Sequence, residues 1–208
     1  MQPKELLDML EDEEDDKKEK KEDGGHDISE KMMDTRTIIL SGEVDKDLAE
    51  KVVTQLLLLE AAGDDPIKVF IDSPGGDVDA GYAIFDMIRF VKPDVYTIGM
   101  GLVASAGALI LLAAPKEHRL GFPNSHYLIH QPLSGIRGVA TEIEIHAKEL
   151  EKLRIKLNGL ISEETGQDIS KVEKDTDRDF WMNAEESVEY GLVSKIVSKR
   201  DELDVLIK

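Results

Sequence analysis

From Thr37 to Ala114 the chain switches three times between a strand-like run and a helical pattern, and that alternation restricts its fold more than any other feature. Thr37-Ile38-Ile39-Leu40 is a β-branched run entered after Asp34-Thr35-Arg36 and closed by Ser41-Gly42. Asp45 or Asp47 can cap a helix that carries Leu48, Val52, Leu56 and Leu59 on one face, and Gly63 ends it. Ile67 to Asp72 reads as a second strand, followed by the loop Ser73-Pro74-Gly75-Gly76-Asp77. Ala83, Ile84, Met87, Ile88 and Val91 then line a second helix, closed by Lys92-Pro93. Val95 to Met100 is a third strand, and the apolar run Ala106 to Ala114 predicts a fully buried helix stopped by Pro115. Strands and helices alternating at this spacing predict an α/β fold of mostly parallel strands with crossover helices.

The second half follows a different plan. Short strands are predicted at Arg119–Phe122 and His126–His130, then a polar connection with Gly135 and Gly138. Thr141-Glu142-Ile143-Glu144 reads as a capping box opening the longest helix, which runs to about Glu164 and stops at Gly166. Ile143, Ala147, Leu150, Leu153, Leu157 and Leu160 make one narrow stripe along it, with charges between. A helix of that kind either lies across the domain or packs against another subunit, and its charged opposite face favours the second. Asn183 caps a short helix to Gly191, Leu192–Val197 reads as a strand, and residues 201–208 read as a polar C-terminal tail.

Residues 11–23 are charged without exception, nine acidic and four basic, with Gly24-Gly25 behind them. Such a run cannot be buried cheaply, so residues 1–33 read as a disordered or conditionally helical N-terminal arm ahead of a domain spanning 34–200. A formal net charge of −18 argues against nucleic acid or an anionic membrane as partner. There is no cysteine, which excludes disulfide and thiolate chemistry and agrees with a reducing compartment. With no apolar signal region and no run of membrane-spanning length, a cytoplasmic protein is expected.

Ser105 is the one hydroxyl among small residues, in Ala104-Ser105-Ala106-Gly107, at the head of the buried helix. There it can be a plain N-cap, or a nucleophile beside free N–H groups that suit a developing oxyanion. A nucleophile needs a base in reach and an acid to orient that base. Of the five histidines, His26, His118 and His146 read as solvated. His126 and His130 share a strand face, and His130 ends its strand before Gln131-Pro132, where parallel sheets display catalytic groups; it can equally be a satisfied, partly buried histidine. In Asp175-Thr176-Asp177-Arg178-Asp179, Asp179 lies nearest the apolar Phe180-Trp181-Met182 and is expected to be half-buried, with Asp175 and Asp177 more exposed. Arg178 between two carboxylates suits a salt bridge, including one across a subunit interface. Gly75-Gly76 either aims backbone amides at an oxyanion or merely turns the chain. No G-x-S-x-G elbow, P-loop, dinucleotide fingerprint or metal-ligand cluster is present, so no metal and no cofactor is expected.

Taken together, Ser73-Pro74-Gly75-Gly76, Ala104–Gly107, Pro123-Asn124-Ser125 through Ile129-His130-Gln131-Pro132, Ala140–Ile145 and Asp175–Asp179 resemble the proteolytic subunit of the Clp protease, in that family's order and over residues 36–200. The separations Ser105 to His130 (25) and His130 to Asp179 (49) fit the family as well. The resemblance implies a crotonase-like fold of repeated strand-strand-helix units, with the long helix after Ala140 as a protruding handle where two seven-membered rings meet. It implies Ser105 as nucleophile, His130 as general base and then acid, Asp179 as orienter, and the Gly76 and Ala106 amides as oxyanion donors. Arg178 is placed at the ring–ring interface. By the same resemblance the chain is an ATP-independent serine endopeptidase in protein quality control, with no cofactor, fed unfolded polypeptides by a separate AAA+ unfoldase. Two positions depart from the family. The arm replaces a short apolar segment that lines the pore, and Lys68 stands where the family often puts an aromatic in the unfoldase pocket, although Phe70 fits that pocket. Two other readings compete: a non-catalytic or conditionally active ring subunit needing a second subunit type, and an acyl-CoA enzyme of the same fold. The acyl-CoA reading ranks last, because that chemistry has no use for a serine, histidine and aspartate set.

Overall fold

Strand β2 (Ile67–Ser73) buries every second residue, Ile67, Val69, Ile71 and Ser73, the period that one sheet face packed on a core demands. The computed structural model describes residues 31–207, so the charged run 11–23 and His26 lie outside the described residues. The unit that carries the site begins at Ile38, and of the residues before it Lys31–Asp34 are helical. Strands β1 (Thr37–Ser41), β2, β3 (Val95–Ala104), β4 (Arg119–Gly121) and β7 (Lys195–Ile196) lie side by side in that order. β2 and β4 both run parallel to β3, and β7 runs parallel to β4. β5 (His126–Ile129) joins the far end of β3 in parallel and takes β6 (Phe180–Met182) as an antiparallel neighbour.

Helices fill the crossovers. α1 (Lys46–Ala62) is capped by Asp45, whose side chain accepts the Leu48 N–H, and it buries Ala49, Val52, Leu56 and Leu59. α2 (Val78–Phe90) is capped by Asp77 and turns Ala80, Ile84, Phe85 and Ile88 inward, whereas Ala83 is exposed. α3 (Ala106–Leu111) is shorter than the predicted run, but all six of its residues are buried.

The long helix α4 (Ala140–Thr165) starts one residue earlier than the predicted capping box. Its N-cap is Val139, whose N–H is taken by the Glu142 side chain at 3.2 Å, so only the glutamate half of a box operates. Gly166, at φ +77°, closes it in left-handed backbone. No residue of α4 before Leu157 is buried; Leu157, Asn158, Ile161 and Thr165 are. The helix therefore protrudes for most of its length and touches the core only with its last turns. α5 (Ile169–Asp175) and α6 (Ala184–Tyr190) follow, with Asn183 and Glu186 forming a full capping box on α6.

The last residues differ from a polar tail. Arg200–Leu206 wind into helix α7, whose Leu203 is buried with Tyr96, Ile98, Leu120 and Val197. Phe70, Phe122, Leu206 and Ile207 pack on this cluster, and the Tyr96 hydroxyl donates to Leu206 O at 3.0 Å. Leu203, Leu206 and Ile207 sit at helical spacing among charges, so the apolar stripe is only three residues wide. No helix among the described residues is long and apolar enough to cross a membrane.

Candidate active site

β3 runs on through Gly99 and Gly101 to Ala104, farther than the predicted end at Met100, and delivers Ser105 to the mouth of α3. Ser105 adopts φ 54°, ψ −119°, an arrangement that costs a residue with a side chain about 1–3 kcal/mol and persists only under tight restraint. The restraint is visible: Ser105 N–H donates to Leu128 O at 2.9 Å, and Leu109 N–H returns to Ser105 O at 3.1 Å. Gly75 presses against it. A Cβ there would lie 2.6 Å from Ser105 Cβ and 2.8 Å from Ala104 O, so only glycine fits.

His130, one residue past β5, puts Nε2 2.9 Å from Ser105 Oγ and Nδ1 2.9 Å from Asp179 Oδ1. A carboxylate oxygen only accepts, so Nδ1–H donates to Asp179 and Nε2 is left to accept the Ser105 hydroxyl. The geometry thus joins three side chains that lie far apart in sequence, and leaves His126 exposed on its strand, away from them.

Asp179 is more open than its sequence position predicts. Its side chain is 61% exposed, while that of Asp175 is 13% exposed. The reversal has a local cause: Asp175 ends α5 beneath Lys171, which pairs with it at 2.7 Å, and Tyr190, whose hydroxyl donates to it at 3.1 Å. Burial and the Asp175 charge push the Tyr190 hydroxyl far up, so it stays a donor. Arg178 is exposed and its Nη1 donates to the neighbouring Asp177 O at 2.8 Å. Two histidines also differ from the solvated reading. His118 stacks on Tyr96 with ring centroids 4.0 Å apart, and His146 Nε2 meets Ser134 Oγ at 2.8 Å.

The Asp179 loop is fastened by two residues to which the sequence alone assigns no role. Gln131 donates its backbone N–H to Thr176 O and its Nε2 to Asp177 O, each at 2.7 Å. Asn158 of α4 takes the Thr176 hydroxyl at 2.8 Å in the interior. The signal for Gln131 is its place as the polar neighbour of a candidate base, and for Asn158 the polar break it makes beside the apolar stripe of α4. Beside Ser105 opens an apolar cleft walled by Val78, Leu109, Ile129, Pro132, Leu157 and Ile161, so the inner end of α4 forms part of the site. Among the described residues no three His, Asp or Glu side chains are grouped to hold a metal ion.

The sequence pattern described as Clp protease matches residues 19–200. The chain belongs to the Clp protease family. It is 68% identical over 177 residues to the ATP-dependent Clp protease proteolytic subunit 2 of Treponema denticola, covering 85% of this chain and 88% of that relative. To subunit 3 of Rhizobium meliloti it is 52% identical over 179 residues, covering 86% and 92%. Among solved structures, a mutant of ClpP1 from Listeria monocytogenes aligns with a TM-score of 0.80 at 50% identity, covering 85% of this chain and 99% of that one. The expected fold holds: this is the Clp-type α/β architecture of a parallel sheet with crossover helices. Clp proteolytic subunits are serine peptidases, and the chain is an enzyme of that class.

Proposed function

We propose that this Clp family chain is the ATP-independent serine endopeptidase subunit of a compartmentalised protease in protein quality control, with Ser105, His130 and Asp179 as its catalytic triad. The support is the hydrogen-bonded series from Ser105 Oγ through both imidazole nitrogens to Asp179, at 2.9 Å on each side. Ser105 Oγ attacks the scissile carbonyl carbon and His130 Nε2 takes its proton, while Asp179 holds the ring and offsets its positive charge. The intermediate's oxyanion accepts from the Gly76 and Ala106 N–H groups. Ala106 is the first residue of α3, so its N–H has no acceptor within the helix. Val44 donates to Gly75 O and accepts from Asp77 N–H, a parallel bridge that leaves the intervening Gly76 N–H turned the other way. Each such donor contributes about 10²–10³-fold. His130 then passes its proton to the leaving amine, and water, deprotonated by the same nitrogen, hydrolyses the acyl ester and regenerates Ser105. The apolar cleft favours substrates with an apolar side chain on the acyl side of the cut bond.

The substrates are unfolded polypeptides delivered by a Clp-family AAA+ unfoldase, for which the ring pair Phe70 and Phe122, with centroids 6.0 Å apart, is the apolar landing point. Exposed Ile143, Ile145 and Ile155 on α4 support self-association of two stacked seven-membered rings through this helix, with Arg178 at their junction. A cytoplasmic location and an N-terminal arm over residues 1–33 belong to the same reading. A subunit that becomes active only beside a second subunit type is favoured by one observation, the open flank of Asp179. Peptide hydrolysis by Ser105→Ala decides between catalytic and structural roles: activity falls at least about 10⁴-fold with assembly intact. Loss of assembly, or residual activity near that of the unchanged protein, would make Ser105 structural.

A further inference from the structure

β2 and β3 do not stay in step. Ile71 pairs with Gly99, yet Ser73 pairs with Val103, so the single residue Asp72 spans Met100, Gly101 and Leu102 of the neighbouring strand. Across those same three residues β3 changes partner on its other edge. Thr97–Gly99 lie against β4, and Leu102–Ala104 lie against His126–Leu128 of β5. The Asp72 side chain closes the bulge. Its Oδ1 accepts the Leu102 N–H at 3.0 Å, and Gly101, at φ +57°, lies so close beneath that a Cβ would sit 2.6 Å from the same oxygen. Asp72 O meanwhile accepts the Gly42 N–H at 3.0 Å, which ties this corner to the end of β1.

The site lies directly beyond the bulge. Three residues past Leu102 stands Ser105, and two residues past its anchor Leu128 stands His130. The Ser105–His130 contact therefore depends on the register in which the outer half of β3 meets β5, and a slip of one residue moves that half by about 3.3 Å. We propose that Asp72 is a positioning residue for catalysis: by accepting the Leu102 N–H it fixes the bulge that brings Ser105 to His130. The role calls for an acceptor oxygen at Oδ1 and not for charge. This inference rests on Ser105 and His130 acting as proposed above.

The test uses the full chain with Asp72→Ala, Asp72→Asn and Asp72→Glu. Asn keeps an acceptor oxygen in place, while Glu keeps the charge and moves its oxygens by a methylene. The expected result is that Ala and Glu lower kcat for an apolar peptide, and the rate of fluorophosphonate labelling of Ser105, by about 10–100-fold with KM little changed. Asn restores both to within about threefold. Wild-type rates in Ala and Glu, or a loss in Asn equal to that in Ala, would overturn the proposal. Should Ala fail to fold, Asn and Glu carry the same contrast. Crystal structures of Asp72→Glu and Asp72→Asn separate this inference from the triad reading, because they read the Ser105 Oγ to His130 Nε2 distance directly. A lengthened contact in Glu with 2.9 Å retained in Asn is expected, and 2.9 Å in both contradicts it even if the unchanged protein proves unreactive.

Discussion

All six residues of α3 are buried, whereas in α4 nothing before Leu157 is, yet both are regular helices within one small α/β unit. α3 is too short to form alone and exists because β2, β3, β5 and α2 close around it. The outer part of α4 is held instead by its length and by neighbouring charges, Glu144 with Lys148, Glu149 with Lys152 and Glu151 with Arg154. One helix is made by packing and presents a nucleophile candidate with little freedom. The other, before its last turns, takes no packing from its own chain and leaves Ile143, Ile145 and Ile155 on its surface. The inner end of α4 joins the two regimes. Glu164 contacts Arg89 Nη2 at 2.5 Å and the buried Arg119 at 3.5 Å, and Arg89 also donates to Ala113 O and Leu112 O just past α3.

The contrast is sharpest in truncations of equal size. Ile110→Ala in α3, at 0% exposure, should destabilise the protomer by about 3–5 kcal/mol, whereas Ile145→Ala, 57% exposed, should move it by less than about 0.5 kcal/mol. Denaturant unfolding of the two variants checks this, and equal losses would mean that Ile145 is packed, within its own chain or against a second subunit. Glu164→Ala comes next, at about 3 kcal/mol, because it strips the charge partner from Arg119, which is 1% exposed. The same unfolding curve reads that loss, with Arg119 and Glu164 replaced together expected to recover part of it. Lys148→Ala should change stability least, by about 0.3 kcal/mol, since the pair it breaks is exposed on both sides and screened by salt. Circular dichroism at low and high salt measures it, and a loss above about 1 kcal/mol would show that α4 depends on that pair.

Period and punctuation make the three strand–helix units legible, with Asp45 as a cap and Gly63 as a stop, and Gly166 and Gly191 likewise end the later helices α4 and α6. α5 and α7 are hidden because each is seven residues long with a stripe too narrow to stand out from its charges, and β6 because its three apolar residues are too few to show a strand period. β3 overruns its predicted end at Met100, and its two glycines serve close approaches in the fold: Gly99 leaves room for the Tyr127 hydroxyl, and Gly101 for Asp72. The three side chains of the site are each candidates on residue grounds, and only the family resemblance joins them in the sequence, because local pattern alone does not link a serine, a histidine and an aspartate so far apart. Only the pairing of β3 with β5, and of β5 with β6, brings them into contact. The apolar neighbours of Asp179 suggest burial, although exposure is decided by which groups cover the loop, and Lys171 and Tyr190 cover Asp175 instead.

The most direct test of the central claim is intact-mass analysis of the assembled protein after a serine-directed fluorophosphonate, beside Ser105→Ala and His130→Ala. The account predicts one adduct per chain, absent in Ser105→Ala and slowed at least about 10³-fold in His130→Ala. An adduct that survives Ser105→Ala, or labelling indifferent to His130, would contradict it.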